Sequence, residues 1–392
     1  MPPIFRKRLL LCAMALLPVD FACPALAAPS DLTTTDGFER SCAALPLAAK
    51  DLKSNQERQA FVICRDIALA KNVITFATNA QKTYLKEGAS DEMFSSVLRG
   101  QLTLMRDELR TVRQVLEQTK LKKDEGLLLA PAQWKTDLDG DGDMKTWESY
   151  FFAIPKRGRL GFQFRIPSDD PDYYASEYQM DAKIRVDQSD ILWTLAYHYF
   201  AESVLEIVLS YHIVDTKMNR ESIQLQHPDG MKRAAQLMIK GFKTSEAMRL
   251  AVLAETDDKD EWIGNPKQKN SVFPMPLDAQ DFQIWGTMLS HVIPLFEGKT
   301  LLVANKKSSG LLGAAAKFCP ENQGLSIPLF FSHPPQYPMD LMEKLDLSSM
   351  CKPIDKKHPA SGLFTFIETY ANQAETKDNA AMNYLRNLLW VN

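Results

Sequence analysis

Five carboxylates fall within twelve residues, at Asp137, Asp139, Asp141, Asp143 and Glu148, with Gly140 and Gly142 set among them. The first four alternate along the chain, and the fifth follows after a short gap. Such a pattern could surround a hard cation. Calcium takes six to eight oxygens, so a loop that wraps it must offer carboxylates at alternate positions and a bidentate one further on. Gly142 stands where such a loop must turn sharply and a Cβ would clash. The alternative is an acidic surface loop that binds nothing. Against it, five carboxylates so close together repel one another, and two glycines would let an unliganded loop unravel.

Counted from Asp137, the aspartates occupy positions one, three, five and seven, Gly142 position six and Glu148 position twelve. By these residues the stretch resembles the EF-hand and related D-x-D-x-D-G calcium loops. The resemblance covers residues 137–148 only. It implies bound Ca2+, with position seven coordinating through its backbone carbonyl, so that the Asp143 side chain is not a direct ligand. Lys145, at position nine, departs from the oxygen-bearing residue usual there and would leave that vertex to water. Sensor EF-hands open as pairs, and this chain has one copy: the acidic runs 169–172 and 257–261 lack both the alternation and the glycine. Pro131 and Pro155 also restrict the flanks, because proline breaks a helix. A lone loop on short flanks is expected to be a structural staple.

A second constellation lies at His198 and Glu202, an i, i+4 pair that lets an imidazole and a carboxylate share a metal or a proton. Glu206 follows one turn on and Asp190 precedes by two turns. Thr194, His198, Glu202, Glu206 and Ser210 step by four along one polar ridge. Either these residues serve a hydrolase as acid, base or metal ligands, or the ridge is hydrogen-bonded inside the fold or faces solvent. No H-E-x-x-H, nucleophile elbow, phosphate loop or dinucleotide fingerprint supports catalysis. Trp134 and Trp147 bracket the acidic loop, and Tyr173 and Tyr174 follow another acidic turn. They form either an aromatic surface for sugar or peptide, or part of the core.

The elements that must position these residues are mainly helices. Ser54 and Glu57 form a capping box that opens a helix ending at Gly88, and a second runs from Ser90 or Asp91 to about Lys120. The two are expected to pack as an antiparallel hairpin. After the acidic loop, Leu160–Ile166 and Lys183–Val186 alternate with period two, as strands of a short β-hairpin, separated by a polar, aromatic loop at 168–174. The helix from about Ser189 to Val214 is apolar nearly all round and reads as central. Further helices span Asp229 to about Thr256, Asp278 to Phe296, Ser361–Ala374 and Asn379–Trp390. An irregular connector at 257–276 and a proline-rich stretch after 320 lie between them. The expected fold is mainly α: a helical hairpin followed by a larger helical bundle, with the calcium loop and a short β-hairpin inserted.

The first residues set the compartment. Arg6, Lys7 and Arg8, the apolar run Leu9–Leu17 and the small-x-small site Ala25-Leu26-Ala27 make residues 1–27 a signal peptide. The apolar run is too short to span a bilayer. Its removal takes away Arg6, Lys7, Arg8 and Asp20, which changes the formal net charge from −3 to −5. A mildly acidic chain without a basic stripe is not built for nucleic acid. Cys42, Cys64, Cys319 and Cys351 remain. In an oxidising compartment their simplest pairing of three is Cys42 with Cys64 and Cys319 with Cys351, the alternative being buried free thiols. The organisation expected is residues 1–27 as signal, 28–130 as the N-terminal hairpin region and 131–392 as calcium loop plus helical domain, with 28–392 as one continuous domain equally open. The function expected is that of a periplasmic or secreted calcium-binding protein of the bacterial-type cell envelope. It would bind or brace an envelope protein or polymer. The alternative is an envelope hydrolase that uses His198 and Glu202.

Overall fold

The computed structural model describes residues 30–80, 91–123, 125–156, 169–216, 220–275, 277–304, 317, 319–337 and 347–374. The fold is mainly α, with four small two-stranded sheets among the described residues. In chain order the helices are α1 (Thr35–Ala44), α2 (Asn55–Ala80), α3 (Asp91–Gln118), α4 (Thr146–Ser149), α5 (Pro171–Glu177), α6 (Gln188–Ser210), α7 (Pro228–Ala254), α8 (Ala279–Phe296), α9 (Ile327–Ser332) and α10 (Leu363–Ala374). The strands are β1 (Leu127–Leu129), β2 (Ile154–Pro155), β3 (Tyr178–Gln179), β4 (Ile184–Val186), β5 (Tyr211–Thr216), β6 (Arg220–Leu225), β7 (Gln323–Leu325) and β8 (Cys351–Pro353).

Ser54 caps α2 as its sequence implies: Oγ accepts the Glu57 N–H at 3.1 Å and the Glu57 carboxylate accepts the Ser54 N–H at 3.1 Å. Helices α2 and α3 run antiparallel, since Asn55 reaches the Lys120 carbonyl and Arg65 pairs with Glu108. Helix α6 lies against both α3 and α7. Ile191, Leu195 and Tyr199 bury one side of it among Phe61, Val112 and Leu116. The contact with α7 is close because Gly230 has no side chain: a Cβ there would meet Ser210 Oγ at 2.2 Å. A larger apolar core gathers round Trp285 of α8, with Met248 and Val252 of α7, Phe273 of the connector and Phe364 of α10. Gly298 closes α8 with φ +74°, a left-handed stop.

Three expectations change. Helix α6 ends at Ser210, not Val214, because Tyr211–Thr216 pairs antiparallel with Arg220–Leu225. Arg99 reinforces the end by donating to the carbonyls of Leu209 (2.7 Å) and Tyr211 (3.0 Å). Strand β4 falls where the alternation of Lys183–Val186 placed it, and it pairs with Leu127–Leu129; its expected partner, Leu160–Ile166, lies outside the described residues. Within the stretch 168–174, Pro171 opens the helix α5, with Asp170 accepting the Asp172 N–H as its cap. The signal peptide, Gly88 and the helix Asn379–Trp390 also lie outside the described residues.

Both disulfides form with the simplest pairing, Cys42–Cys64 and Cys319–Cys351. The first ties α1 to α2; the second ties the loop before β7 to the start of β8. Disulfides persist in oxidising compartments, so the two bridges point to an extracellular or periplasmic setting. Among the described residues no helix is long and apolar enough to cross a membrane.

Candidate functional site

The acidic loop joins two short helical pieces on the flank of α2. Buried Leu138 anchors it, and the Leu138 carbonyl accepts a hydrogen bond from Thr75 Oγ1 at 3.0 Å. One carboxylate oxygen from each of Asp137, Asp139 and Asp141 lies within 4.8 Å of the other two. Asp137 accepts the N–H groups of Gly140 (2.7 Å) and Gly142 (3.1 Å), Asp139 that of Asp141, and Asp141 that of Asp143. These bonds turn the chain tightly and aim the carboxylates inward. Gly140 and Gly142 have φ of +73° and +88°. A Cβ on Gly142 would meet nothing within 4 Å. The glycine is therefore required by its left-handed backbone, not by the clash that the spacing suggested.

Two loop residues depart from the expected ligand geometry. Lys145 reaches into the cluster, its ammonium 2.5 Å from both Asp139 Oδ2 and Asp141 Oδ2. The Lys145 ammonium, together with the Asp143 N–H, holds the Asp141 carboxyl below its usual range. Position nine therefore carries a tethered cation where the sequence suggested a water. Glu148 is fully buried; its Oε1 accepts the N–H groups of Leu138 and Asp139, and its Oε2 that of Lys145. It closes the loop through backbone bonds, leaving Asp137, Asp139 and Asp141 as the carboxylates that converge.

The polar ridge of α6 is buried against α2, α3 and α7. His198 Nε2 meets Asp66 of α2 at 3.0 Å and Nδ1 meets the Thr194 carbonyl at 2.8 Å. Burial disfavours the imidazolium, but Asp66 outweighs it and raises the His198 pKa above the ordinary value. Glu202 receives Arg110 Nε at 2.9 Å and Arg113 Nε at 2.5 Å, both from α3. Glu206 receives Arg110 Nη2 at 2.7 Å and Arg233 of α7 at 2.8 Å. Ser210 Oγ donates to the Glu206 carbonyl. His198 and Glu202 thus each have their own partners.

A third cluster was not singled out from the sequence. Carboxylate oxygens of Asp187, Glu255 and Glu261 lie within 4.8 Å of one another and line a cavity of about 570 Å³ with Lys122, Lys123 and Arg185. Such a set could hold a cation, but protons also relieve it. Burial first, and then the neighbouring Asp187, pushes Glu255 up to about 10 and Glu261 up to about 7. Behind them buried Asp190, the N3 partner in the capping box of α6, is also raised, by burial and then by Asp187. The signal for this cluster was the acidic run at 257–261, but nothing local showed that Asp187 and Glu255 would meet it.

The bracketing aromatics resolve mostly into packing. Trp134 is buried, stacks on Phe38 and donates its indole N–H to the Leu32 carbonyl at 2.9 Å. Tyr174 is buried and stacks on Tyr150 at 4.7 Å. No family model, curated protein or solved structure matches the chain.

Proposed function

We propose that the chain is an exported helical protein of the bacterial-type cell envelope, in which calcium at residues 137–148 acts as a structural staple beside the two disulfides. The observation that carries this is the convergence of the Asp137, Asp139 and Asp141 carboxylates on left-handed glycine turns. Their side chains, with the Asp143 carbonyl and water, offer the all-oxygen donor set that calcium favours. Such an ion would neutralise carboxylate repulsion and fix the loop against α2 and the Trp134 cluster. The mature protein would then present a braced surface to an envelope protein or polymer. The Arg110–Glu202–Arg113 contacts support a structural rather than hydrolytic role for the α6 ridge.

The test is a pair of thermal scans on the mature protein, one in millimolar calcium and one in chelator. A ligand that binds only the folded state stabilises it by about 2.7 kcal/mol at 100 times its Kd, so the midpoint should rise in calcium. Asp141→Asn is the better control than Glu148→Gln. It leaves an acceptor for the Asp143 N–H while removing a ligand charge, whereas Glu148 also holds three backbone N–H groups. The calcium-dependent rise should shrink in this variant while the chelated midpoint stays near wild type. An unchanged wild-type midpoint, with no calorimetric binding at millimolar calcium, would overturn the proposal.

A further inference from the structure

Helices α3, α6 and α7 line two cavities of about 440 and 480 Å³ that have Arg106 and Arg233 as common walls. Neither shares a residue with the acidic loop or with the Asp187, Glu255 and Glu261 cluster. Their cationic side chains are Arg99, Arg106, Arg110, Arg113, Arg233 and Lys240. Glu202 and Glu206 stand against these, both buried beneath the guanidinium groups, and Asp107 and Glu117 pair with Arg106, Arg110 and Arg113 from the rim. Asp229, also in a wall, is matched by Lys232 at 3.1 Å. Six cations against four carboxylates leave an excess of two positive charges, on a chain whose formal net charge is −3.

That excess is gathered at one place and open to water. Glu206 Oε1 accepts from Arg110 Nη2 at 2.7 Å and lies 3.9 Å from Arg106 Nε, while its Oε2 accepts from Arg233 Nη2 at 2.8 Å and Nε at 3.1 Å. Arg106 of α3 and Arg233 of α7 thus flank a single carboxylate that fixes them side by side. Arg106 is also held by Asp107, through Nε and Nη2. In both arginines Nη1 has no partner among the described residues. Arg99 donates to the carbonyls of Leu209 and Tyr211, which leave its charge uncancelled. Lys240 has Glu117 at 3.9 Å and the face of Tyr199. The side chains of Arg233 and Lys240 are more than half exposed and that of Arg106 is 20% exposed, so a dissolved anion can reach all three.

We infer that Arg106 and Arg233 hold a phosphate group where the two cavities meet, with Arg99 on one side of it and Lys240 on the other. A phosphate monoester carries close to two negative charges at neutral pH, which matches the excess. The planar fork of a guanidinium suits phosphate oxygens, and such charge-assisted hydrogen bonds are the strong ones. A monocarboxylate would leave one cation unmatched. The cavities are larger than a phosphate needs, so the group can arrive on a sugar-sized body as well as alone.

The test is calorimetry on the full mature protein in calcium-free buffer at low ionic strength, with inorganic phosphate, glucose 6-phosphate and glucose as probes. Both phosphate probes should bind one to one and glucose should not bind. Tighter binding of the ester assigns the site to a phosphorylated sugar-like body, and equal affinity assigns it to the phosphate group alone. Arg106→Gln and Arg233→Gln should each weaken binding roughly tenfold, the loss expected when a hydrogen bond between charged groups is removed. Arg233→Lys keeps a cation beside Glu206 and so protects the fold, but lacks the fork; it should weaken binding too and decides the matter should either glutamine variant fail to fold. Lys243→Gln removes a charge from the same helix outside both cavities and should leave binding unchanged. No saturable binding by either phosphate probe, folded arginine variants that bind as wild type does, or an equal loss in Lys243→Gln would overturn the inference. The measurement needs no calcium, so the calcium proposal and this one fail separately.

Discussion

Glu202 is where the structural account of the α6 ridge is most exposed to test. It is 2% exposed, with Arg110 on one carboxylate oxygen and Arg113 on the other. Glu202→Gln preserves the shape, removes the charge and turns an amide N–H2 toward one of the two guanidinium groups. Breaking a buried pair from one side costs about 3–5 kcal/mol, because the remaining charge stays desolvated. The two arginines differ in how far water can rescue them: the Arg110 side chain is about one-third exposed, whereas that of Arg113 is only 10% exposed. The lower end, about 3 kcal/mol, is therefore expected, and with it a midpoint lower by about 4 °C in a thermal scan of a chain this long. Glu117→Gln is the internal control. Glu117 also pairs with Arg113 but is one-third exposed, so its loss should cost no more than about 1 kcal/mol. Replacing both Glu202 and Arg113 with apolar residues of similar size should recover most of the stability, since no unpaired charge then remains. A Glu202→Gln midpoint within 2 °C of wild type would refute this account and return Glu202 to the catalytic candidates.

Three further outcomes are expected. Lys145→Ser removes the ammonium held between Asp139 and Asp141 and supplies an oxygen at position nine, so calorimetry should show calcium bound roughly tenfold more tightly. The raised carboxyls of Glu261 (about 7), Glu255 (about 10) and Asp281 (about 6) take up protons on folding. Their contribution is complete below their ordinary values, 4.5 for the two glutamates and 3.8 for Asp281, and is lost as pH rises through the raised values; raised His198 adds a loss above its ordinary value. Thermal midpoints should accordingly fall from pH 6 to pH 8, and Glu261→Gln should flatten the slope; a rising midpoint would contradict the assignment. Reduction should destabilise the fold through both bridges. Their loops of 22 and 32 residues are worth about 3 and about 4 kcal/mol by chain entropy, and intact mass should rise by about four units.

What was legible in the sequence was local. The Ser54–Glu57 capping box, the start at Asp278 and the helical spacing of apolar residues each depend on neighbours within a turn or two, and the helices begin close to where those residues place them. Strand pairing was less legible because it joins distant segments: β1 and β4 meet across more than fifty residues. The early end of α6 was missed because Tyr211, Ile213 and Val214 suit a buried helix and a strand equally in periodicity. Their partner in β6 and the guanidinium of Arg99 decide between the two.

The functional residues divide along the same line. The acidic loop was legible because its own backbone N–H groups orient its carboxylates, so twelve contiguous residues contain most of the geometry. Even there, Lys145 reads in the sequence as a missing ligand, whereas its ammonium pairs with Asp139 and Asp141, since a side chain four residues from Asp141 can reach back into the loop. The α6 ridge was ambiguous for a different reason. Four-residue spacing aligns His198, Glu202 and Glu206 whether they act on a substrate or on the fold, and only the facing helix distinguishes the two. Arg99, Arg106, Arg110 and Arg113 recur on one side of α3. Two stripes of opposite charge on long helices, each set into a surface that should otherwise be apolar, are a pairing signal that single-helix periodicity does not capture. Arg110 joins Glu202 and Glu206 across 92 and 96 residues, and that match turns an isolated acidic ridge into the seam between α3 and α6.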